Sequence, residues 1–241
     1  VKGTSGLTAL VGAGEYLPTM DVVDRRLLAE TGKRSPRVIC IPAAAGQEGE
    51  ASVERWAQTG VAHFHRLGAE ADSACIVDRA SADDPKWAAW IEAADVIYFS
   101  GGDPLYLYRT LEGTRAWAAA EAAWARGAVL AGCSAGAMIL GAFVPDVTRD
   151  DLPLHPAFGR LPNCLVLPHF DQFESFRPGL TEYVRRRLPD GRYGLGIDEH
   201  TALVGRIGAE WEVMGAGNVS LLTREAIAPY GAGSRVRLPG A

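Results

Sequence analysis

The feature that most constrains this chain is a regular alternation of short apolar runs with longer helix-spaced segments, from Leu7 to about Leu140. Leu7-Thr8-Ala9-Leu10-Val11, Arg37-Val38-Ile39-Cys40-Ile41, Ala74-Cys75-Ile76-Val77, Asp95-Val96-Ile97-Tyr98-Phe99 and Ala128-Val129-Leu130-Ala131 read as buried strands. Between them, helical spacing covers about Met20 to Thr31, Glu48 to Leu67, Pro85 to Ala94 and Leu105 to Arg126, and a further helix opens at Ala135. Val53, Trp56, Val61 and Phe64 are the core candidates of the second helix. Strands joined by helices of this length form a mostly parallel sheet covered on both faces. Past Val144 the apolar runs shorten and crowd: Leu165 to Leu167, Gly194 to Ile197, Thr201 to Val204, Glu212 to Met214 and Val219 to Leu222. These predict an antiparallel edge. The expected fold is therefore α/β and three-layered, with helices on both faces of a mostly parallel sheet.

With 241 residues, 48% of them hydrophobic, the chain can bury a full core. No repeat, linker or low-complexity tract interrupts it, so residues 1–241 read as a single domain. Residues 1–6 and about 231–241, the latter Gly-rich and basic, read as loose ends. A net charge of −5 offers no bulk attraction to nucleic acid or an anionic membrane. The run Arg185-Arg186-Arg187 is short and reads as a solvated helix face. No apolar signal core precedes the first strand. The uncharged stretch from Gly127 to Pro145 is long enough to span a bilayer, but Gly127, Gly132, Gly136 and Gly141 punctuate it as strand, turn and helix. Cys40, Cys75, Cys133 and Cys164 form neither a CxxC pair nor a zinc spacing with histidine, which fits a reducing, cytoplasmic compartment. Trp87, Trp90, Trp117 and Trp124 suit either a core or a homodimer interface; the three-residue spacing of the first two favours core.

The strongest chemical signal is Gly132-Cys133-Ser134-Ala135-Gly136, a G-x-S-x-G pattern directly after a buried strand and before a helix. A sharp turn there lifts a nucleophile above the sheet edge, and the helix N-terminus presents free N–H groups to a developing oxyanion. The register between the glycines places Ser134 at the centre and turns Cys133 toward the core. Phe99-Ser100-Gly101-Gly102-Asp103-Pro104 also follows a buried strand, so the Gly102 and Ala135 amides can together form an oxyanion hole. Among five histidines, His63 and His65 are two apart on a helix and point in different directions; His155 stands between prolines. His169, just past Leu165-Val166-Leu167-Pro168, lies at a strand end on the side where sites form and is the candidate base. Its orienting carboxylate is either Glu199, between two strands, or Asp150, after the elbow helix.

Taken in order, Gly101-Gly102-Asp103, Gly132-Cys133-Ser134-Ala135-Gly136-Ala137, Pro168-His169-Phe170 and Gly196-Ile197-Asp198-Glu199-His200-Thr201-Ala202 resemble the peptidase E and cyanophycinase family of serine peptidases. The resemblance runs from Leu7 to about Leu222 and implies a class I glutamine amidotransferase-like fold. It implies Ser134 as nucleophile and His169 as general base. It favours Glu199, in the I-D-E segment, over Asp150 as the third member. The chain departs from the family in carrying Asp103 and Pro104 after the paired glycines, and Arg177 as its nearest basic residue after His169-Phe170. Asp103, Asp171, Gln172 and Arg177 are the expected substrate contacts, Asp171 and Gln172 for an amino or amide group and Arg177 for a carboxylate. The expected activity is hydrolysis of short peptides, as a dipeptidase or exopeptidase with Asp at the acyl side. A cyanophycinase-like hydrolase, an amidase or esterase, and a non-catalytic binding protein of the same fold are the alternatives. Neither metal nor cofactor is expected.

Overall fold

In a computed structural model of the protein, residues 5–239 are described. The chain begins with strand β1 (Thr8–Val11), helix α1 (Asp21–Glu30), β2 (Arg37–Ile41), α2 (Glu50–Arg66) and β3 (Glu70–Ser73). There follow α3 (Arg79–Ala82), α4 (Pro85–Glu92), β4 (Val96–Phe99), α5 (Pro104–Leu111), α6 (Arg115–Ala125), β5 (Val129–Cys133) and α7 (Ala135–Met138). The second half contains β6 (Phe143–Pro145), β7 (Leu154–Pro156), β8 (Cys164–Pro168), α8 (Phe173–Phe176), α9 (Leu180–Arg187) and β9 (Tyr193–Ile197). It closes with β10 (Thr201–Gly205), β11 (Glu210–Gly215), β12 (Asn218–Leu222), β13 (Ile227–Gly231) and β14 (Arg235–Arg237).

The main sheet has the order β14-β11-β10-β1-β5-β4-β2-β3. Strands β1, β5, β4, β2 and β3 are parallel, and β10, β11 and β14 add an antiparallel edge beside β1. Successive strand residues point to opposite faces, and here both faces are covered. Leu10, Ile39, Ile97 and Leu130 pack with Leu107, Ala120 and Trp124 of the helices on one side. Ala9, Val38, Tyr98 and Ala131 pack with Leu27 of α1 and Phe64 of α2 on the other. This double burial is why the strands read as continuous apolar runs. Trp87 and Trp90 meet edge to face and pack against the first cluster, with the Lys86 ammonium over both rings.

A second sheet, of order β13-β12-β9-β8-β6-β7, was not foreseen as separate from the first. Val166, Leu195, Ile197 and Val219 of this sheet join the core cluster that also holds the main-sheet residues. Its other face carries a small cluster, Leu165, Leu167, Phe173 and Leu180, under α8 and α9.

Three expectations are corrected. The run Ala74 to Val77 was read as a strand, but the ladder to β2 is made by the polar segment Glu70–Ser73. An edge strand needs only backbone groups for its ladder, and the apolar run beyond it buries Ala74 and Ile76. The helix expected from Leu105 to Arg126 is two helices. Gly113, at φ +70°, reverses the chain, and the Thr114 hydroxyl accepts the Trp117 N–H to restart it. The ends are not loose where they are described. Gly6 donates to the Trp124 carbonyl at 2.8 Å, β13 ends at Gly231, and β14 pairs with β11, burying Val236 and Leu238. Residues 1–4 and 240–241 lie outside the described residues. Among the described residues no helix is long and apolar enough to cross a membrane, and the stretch from Gly127 to Pro145 is divided among β5, α7 and β6.

Candidate active site

Strand β5 ends at Cys133, and Ser134 takes φ 50°, ψ −114° before α7 begins. A non-glycine residue held there costs about 1–3 kcal/mol. Backbone bonds hold it in place: the Ser134 N–H donates to the Val11 carbonyl at 3.0 Å, and the Met138 N–H donates to the Ser134 carbonyl at 3.0 Å. The flanking glycines are required by close approach. A Cβ on Gly132 would stand 2.2 Å from the Gly136 oxygen, and one on Gly136 would stand 2.3 Å from the Phe99 oxygen. Cys133 is fully buried on the α1–α2 side of the sheet.

Across from the elbow, β8 ends at Pro168, and His169 follows in the left-handed region at φ 52°. Strand β9 runs parallel to β8 with Pro168 opposite Ile197. That register sets the residues following the two strands side by side. His169 Nε2 lies 3.0 Å from Ser134 Oγ, and His169 Nδ1 lies 2.8 Å from Glu199 Oε1. The side chains of His169 and Glu199 are 31% and 33% exposed, so the pair faces an opening rather than the core. A carboxylate on Nδ1 holds the imidazole in the tautomer that leaves Nε2 free to accept the serine proton. Asp150 stands apart from this chain of bonds. Its carbonyl accepts from Arg177 Nη1, and the Nδ1 position it was a candidate for is taken by Glu199.

The loop after β4 supplies the opposite wall. The Gly101 N–H donates to Glu15 Oε1 at 2.8 Å. Gly102 has φ +140°, and a Cβ there would meet the Ala44 oxygen at 2.4 Å. Among the described residues, neither the Gly102 nor the Ala135 N–H has a protein acceptor. An unpaired backbone N–H at a helix start or loop can donate to negative charge that develops near it.

The model of Peptidase family S51 matches residues 9–209, spanning the elbow, His169 and Glu199. The chain belongs to this family. It is 29% identical over 168 residues to the cyanophycinases of Synechococcus elongatus and Thermosynechococcus vestitus. The match covers 66% of this chain and 51% of each of theirs, so the chain spans about half the length of these relatives. The crystal structure of a peptidase from an acI-B1 actinobacterium superposes with a TM-score of 0.89 at 36% identity, covering 98% of both chains. A putative peptidase E from Listeria monocytogenes shares the fold, with a TM-score of 0.66 at 19% identity over 88% of this chain and 100% of that one. The peptidase E and cyanophycinase resemblance read from the motifs is thus the family of this chain.

Other residues singled out in the sequence have structural partners in this S51 chain. Asp103 caps α5, its carboxylate accepting the Tyr106 N–H at 2.7 Å. Asp171 Oδ1 accepts the Glu199 N–H at 2.8 Å, and Gln172 donates to Asp171 Oδ2 at 2.9 Å. Arg177 is stacked over Tyr183 at 4.4 Å and tied to the Asp150 carbonyl. These contacts take up one oxygen of Asp103, both oxygens of Asp171 and Nη1 of Arg177, whose buried Nη2 has no partner among the described residues. Among the described residues no group of three or more His, Cys, Asp or Glu side chains could hold a metal ion.

Two features of the site were missed. Glu15 follows β1 at the same sheet end as the elbow, and it joins the Gly101 amide to the Cys133 thiol, which donates to Oε2 at 3.0 Å. Burial, with Glu15 beside it, pushes the Cys133 thiol well above its ordinary range. The only available signal was its position, a lone carboxylate just past a strand end. The second feature is a cavity of about 570 Å³ bordered by Gly102, Ser134 and His169. Its walls come from separate elements: Met138 of α7, Leu154 of β7, Leu167 of β8, Phe176 of α8 and Val184 of α9. No local pattern joins such residues.

Proposed function

We propose that this chain is a serine peptidase that hydrolyses short peptides through an acyl-enzyme on Ser134. The observation that carries this reading is the continuous chain of contacts from Ser134 Oγ to His169 Nε2 (3.0 Å) and from His169 Nδ1 to Glu199 (2.8 Å), on a strained elbow at a cavity mouth. His169 Nε2 takes the Ser134 proton as Oγ attacks the scissile carbonyl carbon, and the imidazolium is stabilised by Glu199. The carbonyl oxygen becomes an oxyanion that the Gly102 and Ala135 N–H groups can receive. Collapse breaks the C–N bond, and His169 returns its proton to the departing amine. A water, deprotonated by His169, then attacks the acyl carbon and releases Ser134 and the product acid. The family and the 36% identical peptidase favour an amide over an ester as substrate. The cyanophycinase relatives supply the second reading, in which the same apparatus acts on their polymer. Buried unpaired thiols at Cys40, Cys133 and Cys164 support placing the reaction in a reducing, cytoplasmic compartment.

The test is hydrolysis of a dipeptide library by wild type and Ser134→Ala, with a fluorophosphonate as active-site label. Cleavage that falls by about 10⁴-fold or more in Ser134→Ala is expected, with the label on Ser134 alone. A wild type that neither cleaves peptides nor takes the label would overturn the reading in favour of a non-catalytic binding protein.

A further inference from the structure

We infer that the cavity beside Ser134 takes a large apolar side chain, aromatic or branched aliphatic, from a residue flanking the scissile bond. The inference rests on the serine-peptidase reading and names its substrate class, replacing the Asp-directed specificity expected from the motifs.

The cavity's volume, about 570 Å³, lies within the roughly 300–1,000 Å³ of ligand pockets. Its floor is made of buried aliphatic carbon: Leu165 and Leu167 are each 4% exposed and Leu180 is 9% exposed. Its rim holds Val147, Leu154 and Phe176, large apolar side chains left 50%, 36% and 64% in solvent. Apolar groups gathered at the mouth of a cleft mark a surface that a ligand covers. The clustering occurs where Ser134 and His169 open to solvent.

The cavity's floor carries no charge. Among the described residues, Arg187 is the one Arg, Lys, Asp or Glu side chain lining the cavity, exposed on the last residue of α9, with its guanidinium 4.9 Å from the Tyr183 ring centroid. Arg177, the cation expected to receive an aspartate, does not line the cavity; its Nη1 donates to the Asp150 carbonyl and its buried Nη2 has no partner among the described residues. A substrate carboxylate pressed against Leu165, Leu167 and Leu180 would shed its water and gain no hydrogen-bond donor in return. A phenylalanine or leucine side chain loses nothing polar there and gains from leaving water.

Two dipeptide series locate the occupant. Phe-Ala, Leu-Ala and Asp-Ala vary the acyl side; Ala-Phe, Ala-Leu and Ala-Asp vary the leaving side. In one series the apolar members should exceed the Asp member by at least about 100-fold in kcat/KM. Equal or better cleavage of the Asp member in both series overturns the inference and leaves the peptidase reading standing. The double variant Val147→Ser/Phe176→Ser changes exposed side chains, so folding is retained. It should raise KM for the favoured peptide by about tenfold while kcat stays within about threefold; an unchanged KM counts against the pocket. Fluorophosphonate labelling of Ser134 separates the two claims. Where the label does not attach and no peptide is cleaved, the peptidase reading fails. Calorimetric binding of Phe-Ala, Ala-Phe and their Asp counterparts to Ser134→Ala then decides the pocket. Tenfold tighter binding of an apolar member sustains it, and equal binding overturns it.

Discussion

The two sheets divide the candidate site between them in different ways. The eight-stranded sheet carries Ser134 at the end of β5, and everything that shapes that residue is close in sequence or in an adjacent strand: Gly132, Gly136, Val11 and Phe99. The six-stranded sheet carries His169 and, through the β8–β9 register, Glu199 thirty positions later. The strands that carry these residues do not differ in burial: β5 in one sheet and β8 and β9 in the other are buried along their whole length. A nucleophile needs a rigid, strained backbone, which a doubly covered parallel sheet supplies. A base and a substrate cavity need an opening, which is found past the ends of β8 and β9, where His169 and Glu199 reach solvent. The 3.0 Å contact between Ser134 and His169 is where the two meet.

The sharpest way to break this division is on the nucleophile side. Gly136→Ala forces a Cβ to within 2.3 Å of the Phe99 oxygen. Because that atom is backbone in a buried strand end, the clash should cost about 3 kcal/mol. It should also lower kcat/KM by more than about 100-fold, since misplacing a nucleophile by an ångström is that costly. Thermal unfolding and peptide hydrolysis measure the two effects; a fully active, equally stable variant would refute the role given to the elbow packing.

On the base side the expected loss is in rate without loss of fold. Glu199→Gln removes the charge facing His169 Nδ1 and permits the wrong tautomer, so kcat should fall by about 100- to 10,000-fold with an unchanged Tm. Asp150→Asn should stay within about twofold of wild type. Reversal of this order would assign the orienting role to Asp150.

A smaller contrast lies within the elbow itself. Cys133 is adjacent to the nucleophile, yet burial and Glu15 keep its thiol protonated at neutral pH. Iodoacetamide should modify the exposed Cys75, spare Cys133 and leave hydrolysis intact, as peptide mass mapping would show. Inactivation with alkylated Cys133 would reopen the choice of nucleophile.

The smallest effect is expected at the outer edge of the six-stranded half. Arg185 and Arg186 hold the Glu182 carboxyl down at about 2. A depressed carboxylate contributes its stability above the ordinary glutamate range and loses it as pH falls through about 2. The group is exposed and screened, so Glu182→Gln should shift Tm at neutral pH by no more than about 1 °C. A larger shift would show that α9 is held in place by charge rather than by Leu180 and Val184.

Legibility in the sequence followed the same division. Four of the five parallel strands were read from apolar runs because both their faces are buried; the fifth, β3, is a polar edge strand and was missed. The elbow was read because Gly132, Ser134 and Gly136 act within five residues. Glu199 became preferable to Asp150 only through the family pattern; spacing alone left both open. The break at Gly113 was hidden because the Ala-rich pattern continues through it. Strand β13 was hidden because Pro229 interrupts its run, and β14 because it is flanked by Gly and Arg, although Val236 and Leu238 anchor it. Nearness to His169 in sequence did not show the partners these side chains have: Asp171 accepts the Glu199 amide, and Arg177 donates to the Asp150 carbonyl.

By itself the sequence determined the α/β layering, the nucleophile turn and the histidine at a strand end. Each depends on periodicity or on a few contiguous residues, and backbone sterics and burial impose both locally. Only the tertiary structure decided that His169 meets Glu199, that Glu15 consumes the Gly101 amide, and that an apolar cavity opens beside Ser134. Those outcomes depend on strand register and on side chains from five separate elements converging in space, and distances of that kind are set by packing, which no run of neighbouring residues encodes.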